Sequence, residues 1–170
     1  PVDVLTREGF SIDFTGAFVD VAALGLDWSS LILVTTNLVG LSPSTPLTGL
    51  NAQGTVLSGT DLSQGTFTQP NFGGATLDGT VFQGVTLTGA VFDGATGNGT
   101  IFTGVTATGA SFQAQASFPS SIFDSADLAG SSFDGANLSQ ASFLSAELQK
   151  ATFDQADLTS AQLDGADLTS

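Results

Sequence analysis

The residues best suited to chemistry in this chain are carboxylates. Its 170 residues include 16 Asp and Glu against two cations, Arg7 and Lys150, giving a formal charge of −14. His, Cys and Tyr are absent, which removes the usual general bases, thiol nucleophiles and disulfides. No glycine-rich phosphate loop followed by Lys occurs, and no spaced set of metal ligands. Enzymatic activity, a cofactor and a bound metal are therefore not expected. The charge also opposes direct binding to nucleic acid phosphate or to an anionic membrane surface. Phe10 to Leu41 is the most apolar region, but Asp13, Asp20 and Asp27 interrupt it. No run approaches the ~20 apolar residues of a membrane span, so membrane insertion is not expected either.

What the remaining side chains could do depends on a spacing of twenty. Asp127, Glu147 and Asp167 recur at that interval, as do Asp134 and Asp154. Stacked carboxylates could hold calcium, but a flat face offers one per rung where calcium wants six or more oxygens. Solvated charge is the expected role. Thr66 and Thr68, Thr86 and Thr88, and Thr106 and Thr108 form a second array at the same interval. Files of this kind resemble those on ice-binding β-helices, although Thr is also simply a good β residue. A third array is apolar: Val81, Ile101 and Ile122, with Leu144 nearby, stand just before the large residues of three successive turns. Aliphatics there add nothing to an interior, so they suggest an interaction strip.

These arrays share faces only if the chain returns above itself every twenty residues. The region from Ala126 to Ser170 shows how. Read in fives it is ADLAG, SSFDG, ANLSQ, ASFLS, AELQK, ATFDQ, ADLTS, AQLDG, ADLTS. A period of five matches neither a strand nor a helix, but suits a coil that turns a corner at each block. Four blocks then make one square turn, with turns pairing as parallel strands about 4.8 Å apart. Leu or Phe at each centre and the small residue two earlier point inward. The blocks Ala126-Asp127-Leu128, Ala136-Asn137-Leu138, Ala156-Asp157-Leu158 and Ala166-Asp167-Leu168 closely resemble the A(D/N)LXX consensus of the pentapeptide-repeat family. That resemblance implies an all-β fold, a right-handed quadrilateral β-helix, and leaves function open, since the family serves several purposes.

The register runs from Leu47 to Phe112, gains one residue within Gln113-Ala114-Gln115, and resumes from Phe118 to Leu168. Residues 45–170 thus read as a repeat stack of about six turns with a bulge near 113–115. Residues 1–44 read as degenerate first turns, since Phe14, Val19 and Leu24, and then Trp28, Leu33 and Leu38, are spaced by five; the alternative is a separate cap. Two opposite faces carry mostly Phe centres and two mostly Leu. Gly97 and Ala107 thin the core of one turn, a gap expected to be filled by Phe102 and Phe112 leaning over it.

The expected function is that of a non-catalytic structural or interaction protein, a rigid acidic rod. Its sequence starts at Pro1, as in a processed product or fragment, and its last turn, through Asp167, Leu168, Thr169 and Ser170, is expected to meet another molecule. The partner is expected to be protein, copies of itself above all, joined end to end, with a filament as the product where no rotation closes the contact. The alternatives are an ice-binding face and the DNA mimicry of gyrase-binding members of the family. Against mimicry, the acids divide almost evenly among four faces. Scarce Lys and Arg with abundant Ser, Thr and Gly lean toward a secreted or lumenal setting.

Overall fold

A computed structural model describes residues 47–48, 50–63 and 65–169. The expectations for residues 1–44 and for Ser170 lie outside the described residues. Two short strands, β1 (Leu47–Thr48) and β2 (Phe67–Thr68), pair in parallel with Leu47 opposite Phe67 and Thr48 opposite Thr68. Above them the chain pairs by single parallel bridges, one per block, and these line up as four walls. The first holds Asn51, Asn71, Val91, Ser111, Ser132 and Thr152; the second Val56, Thr76, Thr96, Ser117, Asn137 and Asp157. The third holds Asp61, Val81, Ile101, Ile122, Ser142 and Gln162; the fourth Thr86, Thr106, Asp127, Glu147 and Asp167.

Each block satisfies its backbone in the same way, as the Phe72 block illustrates. The centre amide of Phe72 donates to Val91 O one turn on, at 2.7 Å, and Gly74 N donates to Asp93 O at 2.9 Å. Ala75 N closes the corner by donating back to Phe72 O at 2.9 Å, and Thr76 N donates down to Thr55 O at 2.9 Å. The corner is a four-residue turn with φ of 65° at Gly74, the left-handed third position that a type II turn demands. Only the amide just after the centre is left out of this ladder, and its partner comes from a side chain, as described below.

The step between bridged residues is 20 up to Val91↔Ser111. It is 21 for Thr96↔Ser117, Ile101↔Ile122, Thr106↔Asp127 and Ser111↔Ser132, and 20 again from Ser117↔Asn137 onward. Those longer steps all span 113–115, where Ala114 and Gln115 both take positive φ and all three residues are exposed. The ladder bonds on either side are kept, so one surplus residue is absorbed at a corner without disturbing the interior.

Inside, the centres form stacked columns. Phe72, Phe92, Phe112, Phe133 and Phe153 lie behind the first wall, with successive rings 4.7–5.2 Å apart and within 13° of parallel. Phe82, Phe102, Phe123 and Phe143 do the same behind the third, at 4.7–5.2 Å and within 7°. The two columns meet edge to face, as in Phe112 with Phe123 at 5.9 Å and 83°. Each such pair adds about 0.5–1.5 kcal/mol to the area it buries. Phe118, Leu138 and Leu158 share the second wall, through the bridges Ser117↔Asn137↔Asp157. From Ala151 onward the inner side chains are less covered, and Leu168 is 57% exposed.

Two details of the interior depart from the sequence reading. The space left by Gly97 is occupied by Phe118, one turn on in the same column, and not by Phe102 and Phe112. A Cβ on Gly97 would lie 2.6 Å from the Phe118 ring and 2.3 Å from Thr100 Oγ1. Phe118 can reach down because nothing larger than hydrogen stands below it, and its edge meets Phe92, Phe102 and Phe112 at 5.5–6.0 Å. Second, the small inward position is not only Ala. Thr80, Thr100, Ser121 and Ser131 are buried there. Their hydroxyls donate to Leu57 O, Leu77 O, Gly97 O and Ala107 O respectively at 2.7–2.9 Å, tying one turn to the next from within. No buried side-chain N or O atom among the described residues lacks a partner.

Candidate functional site: the outer walls

With the interior filled and every inward position committed, function falls to the outward side chains of the walls and corners. The fourth wall carries the threonine and acidic arrays as one file, Thr86, Thr106, Asp127, Glu147 and Asp167, bridged rung to rung. Beside it Thr108 Oγ1 donates to Thr88 Oγ1 at 3.4 Å, so these hydroxyls engage each other. Thr66 stands in no bridge. The chain there pairs instead through Phe67 and Thr68, with Gln69 in a left-handed conformation just before Pro70. The lowest threonine rung therefore does not continue the file in the regular way.

Most of the acids among the described residues serve the backbone. Asp61, Asp127, Asp157 and Asp167, and likewise Asn51, Asn71 and Asn137, stand before a block centre and accept from the amide two residues on, at 2.9–3.2 Å. That amide is the one the ladder leaves over. Asp78, Asp93, Asp124 and Asp134 stand after a centre and accept from the equivalent amide one turn above, in Asn98, Gln113, Leu144 and Asp154, at 2.7–3.1 Å. The Thr152 hydroxyl above all holds the Asp134 carboxyl below the usual carboxylate range, helped by the Asp154 amide. Asp157 is lowered by the Thr159 hydroxyl and amide, and Asp167 by the Thr169 amide together with the Gln149 side chain. In each case a hydrogen bond favours the charged form. Sequence reasoning read these acids as solvated charge; the signal it missed is that Asp and Asn alternate at one position of the block, where both can accept and only one is charged. Among the described residues no group of three or more acids is arranged to hold a metal ion.

The apolar array lies on the third wall. Val81, Ile101 and Ile122 are bridged in succession and each is half-buried, with Asp61 below and Ser142 above. Leu144 is not in that file. It sits on the corner after Phe143, donating its amide to Asp124 Oδ1 at 3.1 Å and accepting from Ser125 N at 2.9 Å. At the last turn Asp167 is half-buried, while Leu168 and Thr169 are exposed.

The model of the family described as pentapeptide repeats matches eight copies, over residues 47–84, 77–113, 121–159 and 145–170. Solved structures similar to this chain include HetL, a pentapeptide repeat protein involved in heterocyst differentiation regulation in the cyanobacterium Nostoc sp. It is 22% identical over 92% of this chain and 84% of its own, with a TM-score of 0.43. A pentapeptide repeat protein of the Arabidopsis thaliana thylakoid lumen is 28% identical over 68% of this chain and 66% of its own, with a TM-score of 0.39. Full-length QnrB1, a plasmid-mediated fluoroquinolone resistance protein, is 19% identical over 95% of this chain and 83% of its own, with a TM-score of 0.31. No curated protein matches the chain. Among the described residues no helix is long and apolar enough to cross a membrane.

Proposed function

This chain belongs to the pentapeptide-repeat family, whose known structures are right-handed quadrilateral β-helices, and from that premise we propose that it is a non-catalytic structural and interaction protein. It works as a rigid acidic rod of about six turns over residues 45–170. Its partner is protein, including copies of itself. The observation that carries this reading is the third wall, where Val81, Ile101 and Ile122 place three aliphatic side chains outward on consecutive rungs, a placement that packing of the interior does not require. End-to-end association through Asp167, Leu168, Thr169 and Ser170 is supported by the exposure of Leu168.

Sedimentation velocity across a wide concentration range tests it. Association that grows with concentration, and weakens in Leu168→Asp or Ile101→Asp, is expected. A monomer at every concentration removes self-association from the reading. Threonines at Thr86, Thr88, Thr106 and Thr108 keep an ice-binding role in view, and thermal hysteresis in the same preparation decides that; inhibition of gyrase supercoiling decides the mimicry reading.

A further inference from the structure

The third wall has features that narrow the kind of partner it fits. Its aliphatic file is three rungs long, whereas the first and second walls each place a single aliphatic, Val91 and Val56, among polar residues and the fourth wall places none. The left-handed corner positions flanking two of its three rungs are glycine. Gly79 and Gly99 precede Val81 and Ile101, Gly84 and Gly104 follow them, and a Cβ at any of the four would meet nothing within 4 Å. The rim is acidic. Asp61 is bridged to Val81 from below, Asp78 stands on the corner before Val81, and Asp124 on the corner after Ile122. Each rim carboxylate is fixed in place by a backbone amide, of Ser63, Asn98 and Leu144 respectively.

We propose that this strip seats a cationic amphipathic helix of another protein, laid along the axis of the stack. The inference rests on the interaction reading above and adds the chemistry of the partner. Rungs repeat at about 4.8 Å along the axis, and a helix repeats at about 5.4 Å per turn. Residues i, i+4 and i+7 of a helix therefore stay within reach of Val81, Ile101 and Ile122 over three rungs. An extended segment places same-face side chains about 6.6–6.8 Å apart and falls out of step by the third. Lys or Arg on the helix flanks faces Asp61, Asp78 and Asp124 across a wall whose corners each keep a glycine beside Val81 and Ile101. Opposite charges then set orientation and speed encounter, while the apolar seam supplies contact.

The test uses the full chain and two synthetic peptides of about 18 residues, near the length of a five-turn helix. One has Leu along a single helical face with Lys on its flanks; the other has the same composition in permuted order. One-to-one binding of the amphipathic peptide, at least about tenfold tighter than the permuted one at physiological salt, is expected. Ile101→Thr, which keeps a β-branched residue in the rung, should lose about tenfold in affinity. Val91→Thr on the first wall should lose nothing. Equal affinity for the two peptides, or unchanged affinity in Ile101→Thr with its thermal melt intact, overturns the helix seat. Sedimentation of the same proteins separates the two failures: persisting self-association leaves the broader interaction reading standing, and its absence removes self-association from that reading as well.

Discussion

Between Ala52 and Phe112 the left-handed corner position is taken by glycine at every described block except that of Gln69; between Ala116 and Leu168 it is taken mostly by Ser120, Ser125, Gln140, Ser145, Lys150, Gln155 and Ser160. A side chain in that conformation costs roughly 1–2 kcal/mol, so the upper half carries a strain that the lower half avoids. The walls of both halves hold spare amides with side chains. Asp127, Asn137, Asp157 and Asp167 each catch the spare amide of their own block. In the lower half only Asn51, Asp61 and Asn71 do so. Inside, buried hydroxyls occur in both halves, at Thr55, Thr60, Thr80 and Thr100 in the lower and at Ser121 and Ser131 in the upper, where Ala fills most of the other small positions. The two halves reach one backbone with different corners, relaxed glycine in the lower and strained side chains in the upper, and both use polar ties inside and outside.

The columns that both halves share should give the largest effect. Phe112→Ala removes a ring stacked at 4.7 Å on both Phe92 and Phe133 and should cost about 3–5 kcal/mol. Phe153→Ala, at a half-buried site, should cost clearly less in the same chemical denaturation series. Next, Gly97→Ala should destabilise by about 1–3 kcal/mol, because the new methyl meets Phe118 and Thr100 in a filled space. If the lower half does depend on its inner hydroxyls, Thr100→Val should cost about 0.5–1.5 kcal/mol by removing one of the two hydrogen bonds that Leu77 O accepts, the other coming from Thr80 N. A change near zero would break that side of the comparison.

The corners give smaller effects of opposite sign. Gly104→Ala, at φ 65° with open space around it, should lose about 1 kcal/mol. Ser125→Gly, at φ 56°, should gain a few tenths, roughly 0.5 kcal/mol, after the greater freedom of the unfolded chain is subtracted. If both lose stability, strain is not what separates the halves. Acid should distinguish them last and least. Asp134, Asp157 and Asp167 all lie above the bulge and all have carboxyls lowered in the folded state. A lowered folded value means their stabilisation is present above about pH 4 and disappears as pH falls through the folded values. The urea midpoint should therefore fall from about pH 5 to pH 3, with a shallower fall in the Asp134→Asn, Asp157→Asn double variant.

The walls were legible in the sequence because a bulky centre must recur at a fixed interval to fill a narrow column. That requirement alone puts Phe118, Leu138 and Leu158 together and separates the Phe walls from the Leu walls. The inner hydroxyls were not legible, since Thr80 or Ser131 satisfies the demand for a small residue as Ala does, and only coordinates reveal the carbonyl each one meets. Nor was the rescue of Gly97 by Phe118, because a period tells which column a ring joins but not which way it leans. Thr66 shows the limit of counting: the interval places it under Thr86, yet the local geometry around Gln69 and Pro70 pairs its neighbours instead. For the candidate site, the files themselves could be read from spacing, while their partner could not, because outward residues answer to no packing rule within the chain.

The ladder bonds run along the axis of the stack, each joining a residue to one about twenty positions away. A force applied along the axis to the first and last described turns therefore concentrates on the outermost bonds and opens them in succession, like a zipper. The molecule should give way under tension in small equal increments of one coil each, resisting compression from its flanks far better than a pull on its ends.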